Sequence, residues 1–206
     1  MSIIIKKLGS QHYATVYKSM VEFTKSRTEN TQNEIWLVEH PSVFTQGRHG
    51  KTEHIINLHS IPIVQSDRGG QVTYHGLGQA VIYFLFDLKR LNFGVKYFVC
   101  LIEKSCISLF KTYGITSHTI DNAPGIYVDH AKIASLGLRV KKGLTYHGLA
   151  INVDMDLIPF SYINPCGYQD LKMTKIHAHN QLITTEKVLN DYANFITEKL
   201  NKPILN

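Results

Sequence analysis

Hydrophobic positions recur at helical spacing in three parts of the chain. Three sets of apolar residues fall three or four positions apart: Tyr13, Val16, Tyr17, Met20 and Phe23; Val95, Phe98, Val99, Ile102, Cys106, Leu109, Phe110 and Tyr113; and Val188, Tyr192, Phe195 and Ile196. This spacing predicts three amphipathic helices, the last from about residue 186 to residue 200. Ser10 stands where an N-cap of the first helix is expected, and Gly114 follows the second as a C-terminal stop.

Runs of β-branched and aromatic residues predict strands between these helices. The runs are 3–5, 35–38, 61–65, 72–74, 80–88, 126–129, 131–140 and 145–153. The run 80–88 is apolar on both faces, which is typical of a strand in the middle of a covered sheet. Segment 43–59, with Gly47 and Gly50 among scattered polar residues, predicts a loop or irregular ribbon. Because strands cluster in the middle and helices are few, we predict an α+β fold rather than regular βαβ alternation.

Composition and charge narrow the class of protein. The 206 residues are 44% hydrophobic and 18% charged, and no linker divides them, so we expect one domain over residues 1–206. The net charge of +6 permits an acidic partner, but the basic residues are scattered, and we expect no nucleic-acid binding. The longest apolar run, 80–86, is far shorter than the roughly 20 residues of a membrane helix. We therefore expect a cytoplasmic protein with no membrane contact and no secretory signal.

The three cysteines differ in their surroundings. They include no Cys-x-x-Cys pair, so we expect neither a disulfide framework nor a metal site. Cys100 and Cys106 fall in the predicted second helix and are interpreted as small buried hydrophobic residues. Cys166 lies between Pro165 and Gly167, in a turn that leaves its thiol uncrowded. It is a candidate nucleophile, with a structural turn cysteine as the alternative.

A nucleophilic thiol needs a nearby cation or base, because at pH 7 an ordinary cysteine is only a few per cent thiolate. The sequence offers Lys132, His75 and His147 for this role. Lys132 is surrounded by small apolar residues, so burial would lower its pKa, unless it is a solvated lysine at a strand end.

Segment 68–79 is rich in glycine and in polar side chains. It matches neither the phosphate-binding Gly-Lys-Ser/Thr loop nor the Gly-x-Gly-x-x-Gly dinucleotide motif. Two interpretations of the segment remain: a ligand-binding segment, or a hairpin with structural glycines. Its pentapeptide Thr-Tyr-His-Gly-Leu, at 73–77, occurs again at 145–149. We interpret the two copies as similar strand-edge segments that face one cavity. His177 and His179 have no evident third ligand and are interpreted as surface residues.

Four motifs, in this order, resemble lipoyl(octanoyl) transferases. They are Arg-Gly-Gly-Gln-Val-Thr-Tyr-His-Gly at 68–76, Lys-Ile-Ala-Ser-Leu-Gly at 132–137, His-Gly-Leu-Ala at 147–150 and Asn-Pro-Cys-Gly at 164–167. Ile-Trp-Leu-Val-Glu-His-Pro at 35–41 and Phe-Thr-Gln-Gly at 44–47 are similar to the N-terminal motif of that family. The resemblance covers about residues 34–172 and implies a biotin/lipoate ligase-like fold, a mixed sheet flanked by helices.

The resemblance also implies an activity and a site. The family moves an octanoyl group from octanoyl-acyl carrier protein to a lysine on lipoyl domains of 2-oxoacid dehydrogenase complexes and of the glycine cleavage H protein. This is the first step of protein lipoylation. We expect no cofactor and no metal, and we take a monomer as the default. By resemblance, Cys166 carries the acyl thioester and Lys132 activates it. The implied substrate-binding residues are Arg68, Gly69, Gly70, Gln71, Val72, Thr73, Tyr74, His75, Ser135, Leu136, Gly137, Gly148, Leu149 and Ala150.

Three alternatives remain open at this point. An ATP-dependent lipoate ligase on the same fold would bind a nucleotide and work without a cysteine. A non-catalytic module would bind a lipoyl domain or a carrier without any acyl group on Cys166. Within the enzyme interpretation, His75 or His147 would replace Lys132 as the base.

Overall fold

The computed structural model describes residues 3–201, in ten strands and three longer helices. The strands are Ile3–Ser10 (β1), Asn33–Glu39 (β2), Val43–Gln46 (β3), Ile63–Gln65 (β4), Val72–His75 (β5), Gln79–Leu85 (β6), His118–Ile120 (β7), Ala123–Val128 (β8), Ala131–Lys141 (β9) and Leu144–Asn152 (β10). The helices are Tyr13–Ser26 (α1), Val95–Thr112 (α2) and Thr185–Asn201 (α3). None of these helices is long and apolar enough to cross a lipid bilayer.

The strands form two mixed sheets. The larger has the order β1-β2-β6-β10-β9-β8-β7, with β1 and β2 parallel and the other pairs antiparallel. The smaller has the order β4-β3-β5, with β3 parallel to β4 and antiparallel to β5. The predicted α+β class with a mixed sheet and flanking helices is therefore confirmed.

Strand β6 is buried on both faces because helices cover both sides of the large sheet. Ile82 and Phe84 pack in a core with residues of α2 and α3, whereas Val81 and Tyr83 pack in a second cluster that contains the buried face of α1. The alternation places successive side chains on opposite faces. This arrangement confirms the interpretation of 80–88 as a covered central strand, although the strand itself ends at Leu85.

The structure differs from the sequence prediction in two places near the N-terminus. Residues 43–46, predicted as loop, form β3 at the centre of the small sheet, because they pair with two strands that are distant in sequence. Ser10 does not cap α1; it ends β1, and His12 precedes the helix without a side-chain cap. The strand continues past Gly9 through an irregularity in its pairing with β2.

Candidate active site

Cys166 lies in a tight turn that presents its thiol to a cavity. The turn spans Pro165–Gly167, and Cys166 adopts a left-handed backbone with φ 57° and ψ 14°. Few residues other than glycine adopt this conformation, so the surrounding structure has to impose it. Hydrogen bonds from Asn164 N to His54 O (2.8 Å) and from Tyr168 N to Pro165 O (3.1 Å) hold both ends of the turn.

Lys132 reaches the same thiol from the large sheet. Its Nζ is 3.2 Å from the Cys166 Sγ and donates to the Pro124 carbonyl at 2.9 Å. The side chain is buried, and its Nζ lies 5.2 Å from the centre of the Tyr127 ring. The structure thus brings together two residues 34 positions apart that the sequence named as nucleophile and helper.

The backbone of Lys132 ties β9 to the segment that follows the cysteine turn. Lys132 N donates to Lys172 O at 2.8 Å, and Thr174 N donates to Lys132 O at 3.0 Å. This short pairing joins the strand that carries Lys132 to the segment that follows Cys166 through main-chain hydrogen bonds.

The charge state of Lys132 differs from the prediction. Burial disfavours the ammonium and by itself would lower the pKa, but the opposing attraction of Cys166 and Tyr127 outweighs it. The pKa of Lys132 is therefore raised, and the expectation of a lowered value was wrong. The solvated strand-end alternative is also wrong, because the side chain is almost completely buried.

A cavity beside Cys166 collects most of the predicted binding residues. Its lining is Tyr13, Arg68, Gly69, Gly70, Gln71, Thr73, His75, Val81, Tyr83, Ser135, Leu136, Gly137, His147, Gly148, Leu149, Ala150 and Cys166. The list includes every predicted substrate-binding residue except Val72 and Tyr74. We call this space the acyl cavity.

Val72 and Tyr74 face away from the acyl cavity. Both lie on β5 and pack in a separate apolar cluster with Phe44 and Phe160. Because strand residues alternate between faces, Thr73 and His75 point to the cavity and their neighbours cannot. The structure therefore places these two predicted binding residues in the core.

The two copies of Thr-Tyr-His-Gly-Leu do face one cavity, as predicted. His75 and His147 both line it, one from each sheet. The prediction that both lie at strand edges was wrong for 145–149, since β10 is an interior strand between β6 and β9.

Arg68 supplies a buried positive charge to the acyl cavity. Its guanidinium donates to Thr45 Oγ1 (3.0 Å from Nε), to Gly69 O (2.9 Å) and to Thr45 O (2.5 Å). Among residues 3–201 no carboxylate forms an ion pair with it. Burial lowers its pKa, against the attraction of Tyr13 and Cys166. The cavity therefore favours negatively charged groups.

The two candidate histidines are neutral at pH 7 and are bonded elsewhere. Burial lowers the pKa of His75 to about 3, and its Nδ1 lies 2.7 Å from Gln79 Oε1. Burial also lowers the pKa of His147, whose Nε2 lies 3.1 Å from Asp67 Oδ1. Partial burial opposes ionisation of Asp67, but hydrogen bonds from His147 and Tyr146 bring its pKa to about 2. In the described part of the chain neither histidine is hydrogen-bonded to Cys166, which leaves Lys132 as its neighbour.

The remaining candidate residues lie away from this cavity. His177 is partly buried between Asp154 Oδ1 (2.7 Å) and Ile183 O (2.8 Å), whereas His179 is exposed. Residues 3–201 contain no group of three side chains arranged to hold a metal ion. Cys106 is fully buried and Cys100 partly so, and all three cysteines are free.

Sequence analysis missed several residues of the site. Tyr13, Val81 and Tyr83 line the acyl cavity but carry no local pattern that separates them from core residues. Asp67 was also missed, although an acidic residue directly before the Arg-Gly-Gly turn was an available signal. Tyr127, which holds its ring against Lys132, is separated from it in sequence by the β8–β9 turn.

The fold and this site define a family. The family model described as lipoyl protein ligase A/B catalytic domain matches residues 13–196, and the chain belongs to this family.

Among its curated relatives are two named octanoyltransferase. That of Francisella tularensis subsp. tularensis (strain WY96-3418) is 58% identical over 198 residues, covering 95% of this chain and 96% of the relative. That of Vesicomyosocius okutanii is 52% identical over 199 residues, covering 97% and 94%.

Solved structures share the fold at low sequence identity. A lipoate-protein ligase A bound with ATP superposes with a TM-score of 0.81 at 14% identity, covering 97% of this chain and 86% of that one. A biotin protein ligase from Aquifex aeolicus, in complex with biotin and ATP, gives a TM-score of 0.59 at 14% identity, covering 98% and 71%. These confirm the predicted biotin/lipoate ligase-like fold.

Proposed function

We propose that this protein transfers an octanoyl group from octanoyl-acyl carrier protein to the ε-amino group of a lysine on lipoyl domains, through a thioester on Cys166. The observation that carries the mechanism is the 3.2 Å contact between Cys166 Sγ and Lys132 Nζ at the wall of the acyl cavity. The octanoyltransferase relatives at 52–58% identity support the choice of acyl group.

In the first step the Cys166 thiolate attacks the carbonyl carbon of the donor thioester. The bond from that carbon to the phosphopantetheine sulfur breaks, and the leaving sulfur takes a proton from the Lys132 ammonium. One thioester replaces another, so the step needs no ATP. The buried ammonium of Lys132 and the guanidinium of Arg68 favour the anionic thiolate beforehand.

Acylation changes what Lys132 can do. The charge of the thiolate contributes to its raised pKa, and this charge disappears once the sulfur is acylated. Burial then favours the neutral amine. Lys132 is thus an acid while the thiol is free and a base once the thioester has formed.

In the second step the neutral Lys132 takes a proton from the acceptor ammonium. An ordinary lysine has a pKa near 10.4, so freeing its amine at pH 7 costs about 4.6 kcal/mol. The amine then attacks the thioester, and the carbon–Sγ bond breaks. The attacking nitrogen loses its second proton to solvent as the amide forms, and the Cys166 thiolate returns beside the Lys132 ammonium. The site is back in its starting state, and the net reaction has released one proton.

We place the acyl chain against the apolar part of the acyl cavity. Val81, Leu136, Leu149 and Ala150 contribute carbon surface to its lining. Burying an aliphatic chain is favourable by about 0.8 kcal/mol per CH₂, which favours a medium-length acyl group over a short one.

The proposal extends to the setting of the reaction. The acceptors are the lipoyl domains of 2-oxoacid dehydrogenase complexes and of the glycine cleavage H protein, and the protein acts as a monomer of one domain in the cytoplasm. Three free cysteines are compatible with such a reducing compartment.

The decisive experiment omits ATP. The protein is mixed with octanoyl-acyl carrier protein, and its intact mass is measured before and after a lipoyl domain is added. We expect one octanoyl group on the unmodified protein, none on Cys166→Ala, and subsequent transfer to the domain. ATP-dependent transfer from free octanoate that survives Cys166→Ala would instead identify a ligase, and binding of carrier or domain without any adduct would identify a non-catalytic module.

A further inference from the structure

A second cleft lies near the reacting pair, although neither Cys166 nor Lys132 lines it. It measures about 440 Å³, and its lining includes Ile120, Tyr127, Tyr168, Asp170 and Leu171, none of which lines the acyl cavity. We call it the outer cleft. Its size lies in the usual range of about 300–1,000 Å³ for ligand pockets.

Two lining residues of the outer cleft adjoin the members of the pair. The Tyr127 ring lies 5.2 Å from Lys132 Nζ, and Tyr168 is two residues beyond Cys166 in the turn. Tyr127 is almost completely buried, and it interacts electrostatically with Lys132, so it lies between the cleft and that amine.

The rim of the outer cleft has the features of a protein-binding surface. Ile120 is 41% exposed and Tyr168 is 48% exposed, so both offer apolar surface to a partner. Ile120 belongs to β7, whose residues are all exposed and which ends the large sheet, pairing only with β8. An outer strand of this kind offers free backbone groups to a partner segment.

The charge at the outer cleft suits a cation. Asp170 lines it and is exposed, and Asp121 and Asp129 lie in the turns at the two ends of β8, whereas His130 is the lining residue able to carry a positive charge. Lys172, close by in sequence, is also exposed.

A second groove has the opposite charge. It is lined in part by Lys25, Arg27, Lys141 and Lys142 and is separated from the acyl cavity by Tyr17 and Asp67, which contact His147. We call this the basic groove. It fits an acidic carrier, and the outer cleft does not.

We infer that the outer cleft is the docking site of the acceptor: the target lysine enters between Tyr127 and Tyr168, while the protein segment that carries it contacts Ile120 and the outer edge of β7. This inference rests on the proposed function. The donor would then use a different side of the molecule, so that an acylated enzyme can receive its acceptor without first opening the acyl cavity.

The test separates the two half-reactions. Cys166 is first loaded with octanoyl-acyl carrier protein and the loading is followed by intact mass; the loaded enzyme is then mixed with a lipoyl domain at low concentration. The variants are Ile120→Glu, which places a charge on the apolar rim, and Asp170→Lys, which repels an incoming lysine. Leu182→Glu, at a side chain that is 87% exposed and outside the cleft, is the matched control.

We expect loading of Cys166 within about twofold of the unmodified protein in all three variants. Transfer to the domain should fall about tenfold in Ile120→Glu and Asp170→Lys, a loss equivalent to one well-placed contact, and stay unchanged in Leu182→Glu. Release of the acyl group by hydroxylamine, a nucleophile too small to need docking, should be unchanged in every variant. This last measurement distinguishes lost docking from a damaged site.

Two results would overturn the inference. One is unchanged transfer in both cleft variants, and the other is a loss of loading by the acyl carrier, which would assign the outer cleft to the donor. If the unmodified protein were not loaded at all, the proposed function would fail, and the inference that depends on it would fail for that separate reason.

Discussion

At the scale of single residues, the site depends on how one side chain responds to the charge of another. Lys132 is buried, and its pKa is raised because the interactions with Cys166 and Tyr127 together outweigh the effect of burial. The sequence showed the small apolar neighbours that bury this lysine, but it could not show the sulfur at 3.2 Å. The sign of the shift therefore depends on a contact made only after folding.

Substituting Lys132 should separate its two roles. Lys132→Arg keeps a positive charge that never dissociates near neutral pH. It supports the Cys166 thiolate but can neither protonate the leaving sulfur nor accept the proton of the acceptor. Loading of Cys166 should therefore slow moderately, while transfer to the acceptor falls by about 10²-fold or more, as expected for a lost general base. Lys132→Met should lose both steps. The two rates are measured separately by intact mass; normal transfer by Lys132→Arg would show that the proton goes to another group, such as His75 or His147.

Gly125 maintains the space that Lys132 occupies. An added Cβ would lie 2.6 Å from Ala134 O and 3.1 Å from Lys132 Cε, at a φ of +128°. We expect Gly125→Ala to lower the free energy of unfolding by about 1–3 kcal/mol and to slow loading of Cys166. Denaturant unfolding measures the change in the free energy of unfolding, and loading kinetics measure the change in the rate at which Cys166 is acylated. Gly94→Ala, where an added Cβ meets nothing within 4 Å, is the control and should change both quantities little; equal effects in the two variants would contradict the explanation.

At the scale of secondary-structure elements, the spacing of apolar residues predicted those elements whose formation depends on neighbouring residues in the sequence. The three helices and β6 follow from the spacing of their own apolar residues, and the structure has them at nearly the predicted positions. Strand β3 was missed because its four residues are defined by pairing with β4 and β5, which no local pattern reports.

The predicted site also divides into features that depend on local sequence and features that depend on contacts between distant residues. Alternation along β5 was available in the sequence and would have excluded Val72 and Tyr74 from the cavity. The approach of Lys132 to Cys166 was not available in the sequence, since it depends on the pairing of β9 with residues 172–174. The motif resemblance supplied what the periodicity could not.

Helix α1 packs against a cluster of buried histidines between the two sheets. The Tyr13 ring stacks on His75 with centroids 5.7 Å apart and contacts His40 edge-on at 5.4 Å. Burial lowers the pKa of His40 to about 4 and that of His75 to about 3. Both rings are thus neutral in the folded protein under conditions in which the unfolded chain protonates them.

This cluster predicts a loss of stability in mild acid. Since the folded pKa of each histidine lies below its unfolded value of about 6.5, the stability is complete above pH 6.5 and falls as the pH decreases toward 4 and 3. Between pH 7.5 and pH 5 we expect a loss of about 2 kcal/mol per histidine, from 1.36 kcal/mol per pH unit. Urea unfolding at the two pH values measures it. His75→Gln should reduce the difference by about half, and equal stability at both pH values would contradict the assignment.

At the scale of the whole molecule, charge is distributed unevenly around one reacting pair. The chain has a net charge of +6, yet the basic groove and the outer cleft differ in sign at their rims. Opposite fields at the two openings would guide two partners to different sides of the molecule, an effect mainly on association rates. Composition alone gave the net charge but not this division.

Association with the acidic carrier should therefore be sensitive to salt. Raising the ionic strength from about 0.05 M to about 0.5 M should lower kcat/KM for the carrier several-fold with little change in kcat, because screening shortens the range of attraction. Lys141→Glu should reproduce part of this loss at low salt. Lys104→Glu on α2, which covers the opposite face of the sheet from α1, serves as the control. A kcat/KM independent of salt would refute electrostatic guidance.

The main-chain hydrogen bonds between Lys132 and residues 172–174 affect how the protein would lose its activity on heating. These two amides help to hold β9 against the segment that follows Cys166, so we expect the loss of activity and the loss of their protection against deuterium exchange to occur together. Activity would then be lost through a local opening of a few residues, with the apolar core still packed and able to restore the site on cooling.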